Sequence, residues 1–446
     1  MDVDGYREQL RTLFAGRRVV LTGGAAQGHV AQVRALRDLG SDRCLVVGGR
    51  GTGPLPPEED ADVVLVDVSA PDMVAEIRTW DRLHAAPPPH VVEALDRFDP
   101  DGEGLLLLTP FDTDKTVAGR RPWGARPPAW TAFEDKTVAD ALCDRAGVAR
   151  PPSEVVPVDL RALGGAAARL DAGAGTVWAG DARDGFNGGA VCVHWVRDDG
   201  DAEAAAAALA PRCGTARVAP FLEGVPCSIH GFATGDGVAV FRPVELITLR
   251  SAQRPHLRYA GTATVWDPAA DDREAMRDAA RRIGSVLRAE VGLRGFFTVD
   301  GVLTADGFRP TEVNPRFGAG LLGYAASVPD LSLPLLHRAA IAGAIDPTAA
   351  DLEALLVPAA DATRVAASWM AVPGRRVDDE GEAELPGGTT VQVGPGPMGA
   401  FVRVTFDLQS LPAGEPVAPA AAAALGVADE RFDLGIGPLE PAVPAR

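Results

Sequence analysis

The sequence predicts a multidomain protein of mixed α/β and α+β class. Three observations point to this class: strands alternate with helices near the N-terminus, antiparallel strands follow between residues 218 and 314, and a Gly- and Pro-rich tail begins at about residue 360. The chain has 446 residues, more than one hydrophobic core normally organises, and 46% of them are hydrophobic. We therefore expect several folded units.

The first unit is predicted from a βαβ pattern. RRVVLT (17–22) indicates a strand, GGAAQG a turn, and HVAQVRALRDLG a helix that stops at Gly40. RCLVVGG, ADVVLVD and EGLLLL indicate further strands. Strands that alternate with helices favour a parallel sheet. GGAAQG departs from the GxGxxG nucleotide motif, so a tight strand-to-helix turn is the simpler interpretation.

The middle of the chain begins after a loop at residues 119–130, where proline and glycine interrupt regular structure. FEDKTVADALCDRAGV is predicted to form a helix with Glu134 and Asp135 in its first turn, where the helix dipole favours acids. A Gly-rich loop follows at 184–191. Successive antiparallel strands then turn at 234–237, and DDREAMRDAARRIGSVLRAEVG has the apolar spacing of an amphipathic helix.

The segment GFFTVDGVLTADGFRPTEVNPRFGAGL predicts a β-hairpin. A three-residue loop with Gly307 in the left-handed conformation pairs Thr304 with Phe308. That register places Asp300 directly opposite Glu312 on neighbouring strands.

Asn314 falls on the same face as these two acids, because side chains alternate along a strand. Pro310 has no amide donor, so it requires an edge position or a bulge in the second strand. Two carboxylates and an amide oxygen on one face are costly without a cation between them, and Mg²⁺ prefers such ligands when it holds nucleotide phosphates. The opposite face is apolar and suits a core: Phe297, Val299, Leu303 and Val313. The sequence therefore predicts a Mg²⁺-nucleotide enzyme.

The composition excludes several classes. A formal net charge of −18 argues against a nucleic-acid or anionic-membrane partner, so anionic small molecules need a locally basic pocket. Five cysteines without CxxC spacing argue against a disulfide framework and a structural zinc site. With no apolar run long enough for a membrane span and an acidic, polar N-terminus, we expect a cytoplasmic protein.

The order of these features is as informative as any one of them. The order runs from EDK through the Gly-rich loop, the extended segment VAPFLEG and a strand with Glu245 to the EVNPR hairpin. In this order of motifs the chain resembles the ATP-grasp superfamily of carboxylate–amine ligases over about residues 130–345. FLEGVPCSIHG, FRPVELITLR and the hairpin are similar to an actinobacterial subfamily related to the peptide ligase of pheganomycin biosynthesis. The resemblance divides the chain into four units: a pre-ATP-grasp domain (1–130), small (131–222) and large (223–348) ATP-grasp subdomains, and a β-rich C-terminal unit (349–446).

The resemblance implies a reaction. ATP phosphorylates a carboxylate to an acyl phosphate, and an amine then displaces phosphate to form an amide in a peptide-like specialised metabolite. The partners implied are small-molecule carboxylates and amines, and a homodimer stays open. The alternatives are a carboxylase-like or acyl-phosphate kinase reaction, or a nucleotide-binding regulator without turnover.

The resemblance also implies site residues. One or two Mg²⁺ ions are assigned to Asp300, Glu312, Asn314 and, as a further candidate, Glu245. Catalytic or substrate-binding roles are assigned to Arg316, Asn314 and Arg258. ATP is assigned to Lys136, Arg183, Phe186, Asn187, Gly188, Gly189, Pro220, Phe221, Leu222 and Glu223.

This chain departs from the superfamily pattern in two places. The strand TVWAGDARDGF lacks the usual second lysine, so Arg183 and backbone amides of the Gly-rich loop are its expected replacements. Pro226 stands where many relatives carry the ribose-binding glutamate, and Glu223 is the nearest acid.

Two assignments have plainer alternatives. Lys136 can be a solvated helix lysine paired with Glu134 or Asp140, and Glu245 can form an ion pair with Arg242 or Arg250. Arg258 and Tyr259 are expected in a loop between strands, where they are candidate contacts for an anionic substrate.

Overall fold

The computed structural model describes residues 1–183, 185, 188, 190–251 and 257–441. Within these ranges the strands form three sheets: a four-stranded parallel sheet, a four-stranded antiparallel sheet and a ten-stranded sheet. No helix in the described part of the chain has the length and apolar character needed to span a bilayer.

The first sheet has the predicted parallel βαβ architecture, with strand order β3-β2-β1-β4. Its strands are β1 (Val19–Ala25), β2 (Cys44–Gly49), β3 (Ala61–Leu65) and β4 (Leu105–Leu107). Its helices are α1 (Val3–Phe14), α2 (Val30–Asp38), α3 (Met73–Ala85) and α4 (Pro89–Phe98). The first half of GGAAQG completes β1, so this strand is longer than predicted, and the second half lies in a short 3₁₀ helix, Ala26–His29, that leads into α2. Gly40 follows α2 with φ +82°.

The predicted helix after residue 133 begins later than the sequence indicates. A 3₁₀ turn, Ala132–Glu134, gives way to extended backbone at Asp135, whose side chain accepts hydrogen bonds from the amide and hydroxyl of Thr137. This local bonding competes with a helix. The helices of this region are α5 (Pro128–Thr131), α6 (Ala139–Ala146), α7 (Leu160–Leu170) and α8 (Asp199–Leu209). Lys136 therefore lies in a turn before α6.

The second sheet is antiparallel, with strand order β5-β8-β6-β7. Its strands are β5 (Glu154–Pro157), β6 (Thr176–Gly180), β7 (Val193–Val196) and β8 (Thr215–Pro220). Helices α7 and α8 share a core with it that contains the fully buried Trp178.

The ten-stranded sheet has the order β13-β12-β9-β10-β11-β14-β17-β16-β15, with β18 paired to β10. Its strands are β9 (Val225–Ala233), β10 (Val238–Ser251), β11 (Leu257–Ala263), β12 (Gly295–Thr304), β13 (Gly307–Asn314), β14 (Ala366–Pro373), β15 (Gly381–Glu384), β16 (Thr390–Gly396), β17 (Gly399–Thr405) and β18 (Leu439–Pro441). The accompanying helices are α9 (Ala270–Val291), α10 (Leu321–Ser327), α11 (Leu333–Ile341), α12 (Ala349–Ala362) and α13 (Ala418–Phe432), with a 3₁₀ turn at Leu408–Ser410. Pairing of β11 with β14 makes the C-terminal strands a continuation of this sheet.

The β12–β13 hairpin reaches the predicted pairing by a different route. Thr304 pairs with Gly307, not Phe308, so the loop has two residues and the register is shifted by one. A bulge between the Gly301 and Asp300 pairings then restores the shift, and Asp300 faces Glu312. The bulge follows Pro310 on an edge strand, where a residue without an amide donor is tolerated. The apolar face packs against α9, as expected: Phe297, Val299, Leu303 and Val313.

Candidate functional site

Asp300 is the centre of the predicted acidic face. Its Oδ1 accepts a hydrogen bond from Ser228 Oγ on β9 (2.5 Å), and its Oδ2 accepts one from Asn314 Nδ2 (2.8 Å). Burial and the neighbouring Glu312 carboxylate raise the pKa of Asp300 to about 7. The hairpin therefore holds two acids and an amide on one face, in an environment that disfavours two negative charges.

Lys136 joins this face from the turn before α6. Its Nζ lies 3.0 Å from Glu312 Oε1, and the residue is 8% exposed. The alternative of a solvated helix lysine paired with Glu134 or Asp140 is therefore wrong, because the side chain is buried against the hairpin. The lysine and the acid balance each other's charge.

Arg316 follows the hairpin and is held on three sides. Its Nε donates to Glu134 Oε1 (3.0 Å), its Nη2 donates to Asn314 Oδ1 (3.0 Å), and its guanidinium carbon lies 4.6 Å from the centre of the Phe111 ring. Glu134 also forms a close ion pair with the buried Arg126. Two arginines thus share one carboxylate, which leaves an excess of positive charge beside the acidic face.

The donor set of this face fits Mg²⁺ chemically. Asp300 and Glu312 supply carboxylate oxygens, and Asn314 Oδ1 accepts one hydrogen bond from Arg316 and retains a second lone pair. The described residues contain no group of three or more His, Cys, Asp or Glu side chains suited to a metal. A site here therefore depends on two carboxylates, the amide and oxygens from a ligand, as is usual for Mg²⁺ bound with phosphates.

The structure does not bring Glu245 to this face. The strand register pairs Glu245 with Cys227, whereas Asp300 pairs with Ser228, so the two acids project from opposite faces of the sheet. The Glu245 carboxylate instead accepts hydrogen bonds from the amides of Val417 and Ala418 at the start of α13 (2.6 and 2.9 Å). Burial raises the pKa of Glu245 to about 7. The expectation of a further metal ligand is not met, because this acid is committed to a helix N-terminus.

The ion pairs considered for Glu245 are also absent among the described residues. Arg242 pairs with Asp267 (2.6 Å), and Arg250 pairs with Glu223 (3.0 Å). Glu223, the nearest acid for a ribose, is thus partly exposed and bound to an arginine. A nucleotide would compete with Arg250 for it.

The segment assigned to adenine connects the two antiparallel sheets. Pro220 ends β8, and Phe221, Leu222 and Glu223 continue without regular structure before β9. The Phe221 ring stacks on Trp195 of β7, with ring centres 4.4 Å apart and planes inclined by 25°. This stack fixes an aromatic wall between the two sheets.

The described residues assigned to the phosphates bond to other parts of the chain. Arg183 is exposed, and its Nη2 donates to the carbonyl of Pro211 (3.2 Å). Gly188 is buried, and its carbonyl accepts a hydrogen bond from the Val191 amide. On β6 the bulky residue before the loop, Trp178, points into the core. Three further assignments lie outside the described residues: Phe186, Asn187 and Gly189.

Arg258 and Tyr259 lie in strand β11 and not in a loop, because they pair with β10. The Tyr259 ring packs edge-on against Trp369 of β14, with centres 5.8 Å apart. Burial and the Asp300 charge raise the pKa of the Tyr259 phenol, while Arg316 opposes the shift. Tyr259 is therefore close to the acidic face, and β14 contributes an aromatic residue behind it.

Sequence reasoning missed the roles of two residues at this site. Ser228 binds Asp300 from β9, which only the strand order reveals. Glu134 was expected as a helix N-terminal acid, but it links Arg126 to Arg316. The sequence signal for Glu134 was its position in EDK, two residues before the lysine.

Comparisons with known proteins agree with this architecture. Residues 187–320 match the family model described as an ATP-grasp domain. No curated protein sequence matches the chain significantly. Three solved structures are similar at 14% identity: a carboxyaminoimidazole ribonucleotide synthase from Aspergillus clavatus complexed with ATP (TM-score 0.51; 93% of this chain and 99% of that one), an L-amino acid ligase from Bacillus licheniformis (0.50; 96% and 99%) and a phosphoribosylamine–glycine ligase from Thermotoga maritima (0.50; 86% and 89%). Likeness at this identity shows the fold alone. The chain has the ATP-grasp fold of mixed α/β and α+β class that the sequence predicts.

Proposed function

We propose that this protein is an ATP- and Mg²⁺-dependent ligase that activates a carboxylate as an acyl phosphate and couples it to an amine. The observation that carries the proposal is the facing pair Asp300 and Glu312, with Lys136 on one acid and Arg316 bound to the neighbouring Asn314. Phosphoryl transfer depends mainly on neutralising and aligning phosphate oxygens. On this face, acidic side chains that could hold a cation lie beside basic side chains that could bind phosphate or carboxylate groups.

The residues have separate roles in this proposal. Asp300, Glu312 and Asn314 would hold Mg²⁺, which supplies positive charge to the phosphate oxygens when bound. Lys136 exchanges its bond to Glu312 for an ATP phosphate, because a lysine is a mobile point charge on a flexible stem. Ser228 orients Asp300 by its hydrogen bond.

Arg316 is proposed to bind the substrate carboxylate or the acyl phosphate. Its guanidinium plane is already fixed by Glu134, Asn314 and the Phe111 ring. A fixed fork loses little conformational freedom when an anion binds. Arg258, on β11 next to Tyr259, is proposed as a second substrate contact.

Nucleotide binding is proposed for the junction of the two antiparallel sheets. The structural neighbour from A. clavatus was solved with ATP, which supports a nucleotide in the same fold. The adenine would meet the segment from Pro220 to Glu223, and the phosphates would meet Lys136, Arg183 and the Gly-rich loop, including Phe186, Asn187, Gly188 and Gly189.

The choice of an amine as acceptor is supported by two neighbours, whose names specify an L-amino acid ligase and a glycine ligase. A carboxylase-like reaction is the second candidate, favoured by the neighbour named as a carboxyaminoimidazole ribonucleotide synthase. A regulator without turnover is the third, because β6 carries no second lysine. The proposal also includes membership of the pheganomycin-type subfamily and a peptide-like specialised metabolite as the product. It further includes a cytoplasmic location and a homodimer.

The test is ADP formation in the presence of Mg·ATP and a panel of amino acids and small carboxylic acids. A ligase forms ADP only when both a carboxylate and an amine are present, whereas a carboxylase-like enzyme responds to bicarbonate without an added carboxylic acid. If correctly folded protein binds Mg·ADP but produces no ADP from ATP with any pair of carboxylate and amine, the result would support the regulator. Protein that binds no Mg-nucleotide at all would refute all three.

A further inference from the structure

Arg338 occupies an unusual position at the junction of the first sheet and the ten-stranded sheet. It lies on α11 and is 8% exposed, and its Nη2 donates to the carbonyl of Leu108, directly after β4. Gly124, at φ +62°, packs so closely that an added Cβ would lie 2.4 Å from the Arg338 carbonyl oxygen. The backbone of Arg338 is therefore clamped in place.

The charge of Arg338 has no carboxylate partner in the described part of the chain. The structure describes three other buried arginines, and each forms an ion pair: Arg126 with Glu134, Arg217 with Asp140, and Arg242 with Asp267. For Arg338, no ion pair is formed among the described residues.

Burial lowers the pKa of Arg338 to about 10, so the guanidinium stays charged at neutral pH. A buried charge without a partner is normally strongly destabilising. Its presence here needs a reason.

The surroundings of Arg338 add positive charge. Arg126 donates to the carbonyls of Phe111 and Asp112, and the Arg316 guanidinium lies over the Phe111 ring. Three guanidinium groups thus approach the short segment 108–112. In a chain of net charge −18, this is a local concentration of positive charge of the kind that an anionic small molecule requires.

Asp112, the acid whose charge acts on Arg338, already has other partners. Asp112 accepts hydrogen bonds from the amide and hydroxyl of Thr109 and lies 3.2 Å from His84 Nδ1. Its carboxylate contributes attraction at a distance, since it opposes the lowering of the Arg338 pKa, but it makes no ion pair with the guanidinium. Arg126 and Arg316 share Glu134, so this acid is not available to Arg338.

We propose that Arg338 binds a carboxylate or phosphate group of a small-molecule substrate, away from the reacting carboxylate. This rests on the proposed function and extends it: one of the two substrates carries a second anionic group, and Arg338 selects for it. A guanidinium forms two parallel hydrogen bonds with either anion, and only one of its donor groups is used by Leu108.

The test compares Arg338→Gln with Arg161→Gln, a matched change of an exposed arginine on α7. Sodium acetate and inorganic phosphate are titrated at constant ionic strength, and binding is followed by calorimetry and by the midpoint of thermal unfolding. We expect wild type and Arg161→Gln to bind one of the anions, and Arg338→Gln to bind it at least about tenfold more weakly. Preference for acetate identifies a carboxylate, and preference for phosphate identifies a phosphorylated substrate.

Two results overturn the proposal: wild type that binds neither anion, or Arg338→Gln that binds as wild type does. If Arg338→Gln does not fold, Arg338→Lys is measured instead, because it keeps the charge and loses the planar fork. Binding weakened at least about threefold then supports the proposal, and unchanged binding overturns it. Mg·ADP binding is measured in parallel and should be equal in all variants. Its absence from wild type would refute the proposed function, while loss of anion binding alone concerns Arg338.

Discussion

Changing Glu312 to glutamine tests the acidic face while keeping the size of the side chain. Glu312 Oε1 lies 3.0 Å from Lys136 Nζ, and the two side chains are 22% and 9% exposed. At an effective dielectric constant of about 20 the attraction between these charges is roughly 5 kcal/mol before desolvation. Because Glu312 is partly exposed and glutamine still accepts a hydrogen bond, we expect a net loss of unfolding free energy of about 2 kcal/mol. The variant should therefore remain folded.

Mg·ADP binding should suffer far more than stability in Glu312→Gln. Loss of one of the two carboxylates proposed to hold Mg²⁺ should weaken Mg·ADP binding by at least about a hundredfold. This exceeds the effect of removing a residue that only hydrogen-bonds to a metal ligand. Isothermal titration calorimetry measures this, with Glu382→Gln on the exposed face of β15 as the matched control. If Glu312→Gln binds Mg·ADP within threefold of wild type while Glu382→Gln is unchanged, the metal assignment is refuted.

Three further predictions concern single side chains. Lys136→Met should raise the Kd of Mg·ADP by about ten- to a hundredfold, since it removes a point charge proposed for a phosphate, and unchanged titrations would contradict this. Glu245→Ala should lower the unfolding free energy by about 2 kcal/mol, because two amides of α13 lose their acceptor, and should leave Mg·ADP affinity intact; weakened nucleotide binding would restore Glu245 as a ligand. Burial raises the pKa of Glu76 on α3 from 4.5 to about 7, so the folded protein holds this proton more tightly than the unfolded chain does. The free energy of unfolding therefore falls as the pH rises through that interval. Glu76→Gln should remove about 1–2 kcal/mol of this fall, measured by thermal unfolding at pH 5 and pH 8.

The hairpin shows how far local pattern predicts this site. Alternation along β12 and β13 places the acids correctly, because a strand's two faces follow from residue parity alone. The turn was predicted one residue too long, and the bulge after Pro310 compensated for that error. A proline in a strand indicates that a bulge or edge is needed, but not how many residues it inserts. Asp300 and Glu312 were thus predicted to face each other correctly because the shorter turn and the bulge shift the register by one residue in opposite directions.

Residues whose roles depend on distant partners could not be placed this way. Glu245 was considered with the acids because it lies on a strand of the same sheet, yet its partners are the amides that begin α13, 172 residues later. Which face of β10 it occupies depends on a bulge that shifts the register with β9. The predicted helix start before α6 was wrong for a different, local reason: the Asp135 side chain accepts hydrogen bonds from Thr137 and delays the helix. From composition we expected only that anionic small molecules would need a locally basic pocket, and composition does not indicate which arginines lie together.

The candidate site is joined by two contacts that cross between distant parts of the chain. Lys136 binds Glu312, and Glu134, two residues earlier, binds Arg316 across 182 residues. The turn before α6 is thus held against the hairpin by two ion pairs of opposite orientation: the turn supplies the lysine in one and the acid in the other. Glu312 cannot give its full charge both to Lys136 and to a cation shared with Asp300, so cation binding should weaken the lysine's bond and make Lys136 available to a phosphate. The Glu134–Arg316 contact involves neither Glu312 nor Lys136, and Glu134 is also held by Arg126, so this contact should keep the turn in place while Lys136 changes partner. We therefore propose different roles for the two residues: Glu134 would position the turn, and Lys136 would respond to the ligand.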